Sequence, residues 1–362
     1  VSRGFCSRLR FVTLTLITTI LTIALPEIFP CKKAVADCPF GGVVALASSR
    51  GIGFDPAPSP ECEFAMFTGL SAFPLTPLDN AGIDEAAFIG LVQRLVAAGV
   101  DSIGALGSTG SYPYLDRAER RRAAALAVEH AAGIPVMLGI GALRQRDVLR
   151  YAEDAQAAGV CGLLLAPVSY QPLRPDEVYG LFEAVAQNTS VPICVYDNPR
   201  TTHFDFDDDL YAALAALPQI GSIKIPGVPA EPDAARAHVA RLRGLVPARV
   251  TIGVSGDAFA ATGLNAGCDA WYSVIGGLFP EAALALTRAA QAGDAARAMQ
   301  LSQALAPFWD AFARNGGGLR VMATAATLMG LTKPDSLPAP LREITGAERE
   351  RIAQIIAACD PS

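Results

Sequence analysis

The sequence predicts an α/β fold, a closed (β/α)8 barrel over residues 66–292 followed by a helical appendage over 293–362. Three observations predict it. Eight short apolar runs bounded by glycine or proline recur along the chain, stretches with apolar residues at three-and-four spacing lie between them, and hydroxyl, amide and glycine residues gather just after the runs. Apolar runs separated by helices mark parallel strands covered on both faces, and eight such units close a barrel.

In chain order, "FTGLSAF" (67–73) is the first strand and "DEAAFIGLVQRLVAAG" (84–99) the helix that returns from it. "SIGALG" (102–107) and "PVMLGIG" (135–141) are the second and third strands, and "RDVLRYAEDAQAAG" (146–159) leads to the fourth, "GLLLAPV" (162–168). The helix "PDEVYGLFEAVAQN" (175–188) precedes the fifth, "PICVYD" (192–197), and then come "IGSIKI" (220–225), "RVTIGVS" (249–255) and "DAWYSV" (269–274). The appendage reads as three helices, 294–314, 319–330 and 346–359.

At 362 residues, with 51% hydrophobic residues and a net charge of −6, the chain fits a globular enzyme; the acidic balance and the absence of a basic stripe argue against a nucleic-acid partner. The first 65 residues differ in character. Arg3, Arg8 and Arg10 precede an uncharged run (11–26) shorter than a membrane span, and "AVA" (34–36) offers a peptidase site, which together read as a secretory leader. The preferred reading is a mis-assigned start, because the first methionine is Met66, immediately before the first strand. A start at Met66 makes the protein cytoplasmic, without a membrane segment in the barrel; a genuine leader makes it exported. Of eight cysteines, Cys161, Cys194, Cys268 and Cys359 follow residue 65 and read as small core residues. His130, His203 and His238 are the only histidines, two of them in helix candidates, so no metal site is expected.

In a barrel of this kind chemistry belongs at the C-terminal ends of the strands. Strand two ends in "GSTG", where glycines bracket Ser108 and Thr109 and free backbone N–H groups and hydroxyls for a small anion. Tyr170 follows strand four, Tyr196 with Arg200 and Thr201 follows strand five, and Ser273 closes strand eight. Asn198 and Asp257 read as a turn residue and a helix-start residue. Strand six carries Lys224, although after residue 65 the chain otherwise uses lysine only at Lys333. A desolvated lysine lowers its pKa and presents a free amine, which arginine cannot do. The competing reading is a snorkelling or ion-paired lysine; the stretch by itself leaves both open.

These residues carry a resemblance. From about Met66 to the C-terminus the chain resembles the pyruvate-dependent class I aldolases typified by dihydrodipicolinate synthase and N-acetylneuraminate lyase, through "GSTG" (107–110), the tyrosine of "YDNP" (196–199) and the lysine of "SIKIP" (222–226). The resemblance implies that Lys224 forms an imine with pyruvate or a related 2-oxo acid, with no other cofactor. It further implies Tyr196 as general acid/base, Ser108, Thr109 and Gly110 around the carboxylate with Thr109 or Ser108 in the proton relay, an aldehyde as second substrate, and a homo-oligomer, dimer or tetramer. There are four departures from the pattern. Thr201 stands where dihydrodipicolinate synthases carry an arginine, with Arg200 one place early; Ser111 and Ile225 replace frequent acids; and Val168, Ser169 and Tyr170 replace paired tyrosines. The departures leave imine chemistry in place and open the aldehyde side to N-acetylneuraminate lyase-like cleavage or to aldol cleavage or dehydration of a 2-keto-3-deoxy sugar acid. A barrel that binds 2-oxo acids without turnover is the non-enzymatic alternative.

Overall fold

The computed structural model describes residues 66–79 and 81–359; the leader and mis-assigned-start readings of residues 1–65 lie outside the described residues. Eight parallel strands close a barrel: β1 (Gly69–Ala72), β4 (Ser102–Ala105), β5 (Val136–Gly139), β6 (Gly162–Leu165), β7 (Ile193–Tyr196), β8 (Ile220–Ile225), β9 (Thr251–Val254) and β10 (Ala270–Ser273). Each lies within one of the eight apolar runs. The runs lack alternation because both faces are buried: in β7 and β8, Ile193, Val195, Ile223 and Ile225 pack outward into the main core, while Cys194, Tyr196, Ser222 and Lys224 occupy the alternate positions.

The helices follow the predicted spacing, α1 (Glu85–Ala98), α2 (Arg117–His130), α3 (Gln145–Ala157) and α4 (Pro175–Ala186) in the first half of the ring. The Asp84 and Asp116 side chains cap α1 and α2, accepting from Ala87 N–H and Glu119 N–H. The second half holds a short α5 (Pro199–Thr202), then α6 (Asp208–Ala216), α7 (Pro232–Leu245), α8 (Ala260–Asn265) and α9 (Pro280–Gln291). A two-stranded hairpin, β2 (Leu78–Asp79) with β3 (Gly82–Ile83), follows β1 and is too short to leave a periodic signature.

The appendage differs from expectation in one respect. The segment 294–314 is two helices, α10 (Ala295–Ala304) and α11 (Ala306–Arg314), because Pro307 has no N–H to continue α10 and serves instead in the first turn of α11. With α12 (Gly318–Leu328) and α13 (Gly346–Cys359) they cover one side of the barrel, where the Phe308 ring centroid is 5.2 Å from that of Phe279. No helix among the described residues is long and apolar enough to cross a membrane. Cys194 and Cys268 are buried and Cys161 and Cys359 half-buried, all as free thiols.

At the N-terminal end of the barrel, Asp101 accepts from Leu70 N–H at 2.7 Å and from Arg288 through both oxygens. At the opposite end, the chain leaving β4 turns through Leu106, held at φ 53°, and its carbonyl lies against Gly139, where a Cβ would come within 1.8 Å of the Leu106 oxygen. Gly139→Ala is expected to lose about 3 kcal/mol through this overlap, seen as a lower urea midpoint at unchanged slope. Gly180→Ala, inside α4 with open space around it, is expected to gain roughly 0.5–1 kcal/mol in the same experiment.

Candidate active site

The register of the barrel places Tyr196 beside Lys224 and Lys224 beside Gly253. Gly253 has no side chain to fill the space next to the lysine, and the Tyr272 ring fills it; a Cβ on Gly253 would sit 2.3 Å from that ring. Phe73, at the end of β1, closes the third side and itself rests on Gly104 and Gly107, where a Cβ would approach its ring to 2.4 and 2.5 Å. The Lys224 amine therefore lies among three aromatic rings, 3.9 Å from the centroid of Phe73, 4.2 Å from Tyr196 and 5.5 Å from Tyr272.

Lys224 is 4% exposed, and its amine forms no ion pair or hydrogen bond among the described residues. Removal from water outweighs the attraction of Cys194 and Asp257, and its pKa falls to about 8. Neither attraction comes from a contacting anion. Burial lifts the Cys194 thiol to about 11, and Asp257 is raised to about 6 by burial while accepting from Trp271 Nε1 and from the N–H groups of Val274 and Ile275. Asp257 thus caps the turn after β10 instead of its own helix start or a substrate.

The Tyr196 hydroxyl lies 3.2 Å from Ser108 Oγ and accepts from Asn198 Nδ2 at 2.9 Å; burial raises its pKa. Thr109 and Gly110 are buried next to Ser108. Ser111 N–H closes a turn on the Ser108 carbonyl, whereas the N–H groups of Thr109 and Gly110 form no hydrogen bond within the described residues. Two free backbone donors, with the hydroxyls of Ser108 and Thr109, make a concave donor set suited to a carboxylate. The loop that carries them is fixed by Arg120, a buried guanidinium that donates to the carbonyls of Tyr112 and Gly141 and lies 4.0 Å from the Tyr151 ring centroid. Sequence reasoning missed Arg120, since within "RAERRR" nothing sets it apart from its exposed neighbours.

Lys224, Tyr196, Ser108, Thr109 and Gly110 are thus brought together at the C-terminal end of the barrel. The other expected contacts are not. Tyr170 is 90% exposed, Arg200 and Thr201 are exposed, and the buried Ser273 hydroxyl accepts from Gly276 N–H at 2.8 Å to hold a turn. His130 and His238 sit on α2 and α7 and His203 is exposed beyond α5; no cluster of three metal-ligating side chains occurs among the described residues. Asp197 turns away from the lysine, accepting from Tyr211 Oη at 2.5 Å, and burial raises it to about 6.

The family model for the dihydrodipicolinate synthetase family matches residues 66–359. A 4-hydroxy-tetrahydrodipicolinate synthase of Phenylobacterium zucineum is 31% identical over 237 residues, 65% of this chain and 78% of the relative. One from Thermomicrobium roseum is 28% identical over 295 residues, 81% of this chain and 95% of the relative. The crystal structure of a dihydrodipicolinate synthase from Agrobacterium tumefaciens superposes with a TM-score of 0.78 at 47% identity, covering 81% of this chain and 98% of that one.

A buried amine held near pKa 8 against 10.5 in the unfolded chain binds fewer protons folded than unfolded, so it lowers stability by on the order of 3 kcal/mol below pH 8. That cost disappears as pH rises from 8 through 10.5. Lys224→Met is therefore expected to stabilise the protein at pH 7 and to lose its advantage by pH 10.5, as read by urea unfolding at both pH values.

Proposed function

This chain belongs to the dihydrodipicolinate synthetase family, and we propose that it is a lysine-imine lyase that acts on pyruvate or a 2-oxo acid yielding pyruvate. The observation that carries the reading is the unpaired amine of Lys224 in a ring-lined interior beside Tyr196. The neutral amine attacks the C2 ketone to give a carbinolamine, and loss of water gives the imine. Tyr196 is the general acid/base, the source of the proton that reaches the departing hydroxyl, with Ser108 beside it as the relay. Ser108 and Thr109, with the N–H groups of Thr109 and Gly110, hold the carboxylate and orient the carbonyl toward the amine. The imine is then the electron sink: loss of a proton from the adjacent methyl carbon gives an enamine that adds to an aldehyde, and in the reverse direction breaking the carbon–carbon bond of a larger 2-oxo acid imine frees the aldehyde and leaves the enamine on the lysine.

Aspartate semialdehyde, the second substrate of a 4-hydroxy-tetrahydrodipicolinate synthase, carries a carboxylate that resembling synthases meet with an arginine. Here that position is Thr201, whose hydroxyl turns back to the Asn198 carbonyl at 3.3 Å, and the neighbouring Arg200 is exposed. This favours, as a second reading, a 2-keto-3-deoxy sugar acid, whose hydroxylated end beyond the scissile bond carries no charge, cleaved or dehydrated at the same lysine. Parallel assays with pyruvate plus aspartate semialdehyde and with sugar acids separate the two, and loss of water without carbon–carbon cleavage identifies the dehydratase.

Incubation with pyruvate and borohydride is expected to add one reduced pyruvyl group to the intact protein and none to Lys224→Ala. The rate of adduct formation is expected to rise about tenfold from pH 7 to pH 9, following deprotonation near 8. Tyr196→Phe is expected to slow that rate by about a hundredfold or more while retaining the adduct.

A further inference from the structure

Asn198 is the N-cap residue of α5, and asparagine in that position ordinarily turns its side chain back to accept from the first free N–H groups of the helix. Here it makes no such bond. Its backbone carbonyl accepts from the N–H groups of Thr201 and Thr202 and from the Thr202 hydroxyl, while its half-buried side chain points inward and donates through Nδ2 to Tyr196 Oη at 2.9 Å. The local capping role has been given up for a contact with the residue beside Lys224.

An amide nitrogen can only donate. The Tyr196 oxygen must therefore accept from Asn198, and its own proton cannot lie on that side. Among the described residues the other partner within hydrogen-bond distance is Ser108 Oγ at 3.2 Å. The phenol thus donates to Ser108, and the Ser108 proton is left free for an acceptor on bound substrate. When Tyr196 gives up its proton, Asn198 remains as a donor to the resulting phenolate, in a buried site where an unsupported anion is costly.

We propose that Asn198 is a positioning residue that sets the direction of proton transfer, from Tyr196 through Ser108 to the departing carbinolamine hydroxyl, by occupying the opposite side of the phenol oxygen with an obligate donor. The inference rests on the reading of Lys224 as the imine-forming lysine, and its test separates the two. Wild-type protein, Asn198→Ser and Asn198→Asp are mixed with pyruvate and quenched with borohydride at timed intervals from pH 6 to 9, and the adduct is followed by intact mass. Serine and aspartate both cap helices well, so α5 is preserved, and thermal unfolding verifies the fold. Asn198→Ser is expected to reach the wild-type extent of adduct about tenfold more slowly. Asn198→Asp keeps the shape but presents acceptors, reverses the phenol's donation, and is expected to be slower still, with a changed pH–rate profile. Wild-type rates and an unchanged profile in both variants, with wild-type adduct present, overturn the role of Asn198 alone. No adduct on folded wild-type protein overturns the imine reading, and this inference with it.

Discussion

A primary amine carried into the interior of a closed barrel loses the water that holds its proton, and the rest of the site depends on that loss. Among the described residues no carboxylate contacts Lys224 to restore the charge; three aromatic rings surround it, and the groups that attract its charge are a thiol raised by burial and an aspartate already engaged by three N–H donors. Lys333 is the contrast within the same chain. It lies at the surface, 2.9 Å from Asp84 and 3.4 Å from Asp79, and those carboxylates raise its pKa. Two lysines with one intrinsic chemistry are driven in opposite directions by solvation and pairing.

Desolvation also explains the small residues around the amine. Gly253 admits the Tyr272 ring, Gly104 and Gly107 admit Phe73, and Gly139 admits the Leu106 carbonyl that starts the "GSTG" turn. Each glycine leaves room for a neighbour that seals the interior or aims the donor loop. The backbone at Leu106 and Ser111, both at positive φ, is then held by packing and by the Arg120 guanidinium, so the donor set is formed before any substrate arrives.

The strands were legible because burial on both faces writes unbroken apolar runs, and the glycine and proline residues that end them are local features. That Lys224, Tyr196 and "GSTG" lie together as the core of the candidate site was legible for a related reason: they are chemically conspicuous at strand ends. What stayed hidden depends on side-chain direction. Asn198 looks like a turn residue until its χ angles carry the amide inward, Asp257 looks like a helix start until its carboxylate is seen to cap the turn after β10, and Ser273 looks available until Gly276 N–H takes its hydroxyl. Phe73 and Tyr272 pass for ordinary core residues, since only the register of non-adjacent strands places their rings beside the amine. The split at Pro307 was readable from the sequence, and the apolar periodicity running through it concealed the break.

The most direct test of the account is titration of the Lys224 amine itself. The chain from Met66 onward contains two lysines, so protein labelled with [13Cε]lysine gives resonances that Lys224→Ala assigns at once. The account predicts one lysine titrating near pH 8 and the other above the ordinary lysine value. Two lysines both titrating above 10 in the folded protein would contradict the claim that burial brings the Lys224 amine's deprotonation down to near pH 8.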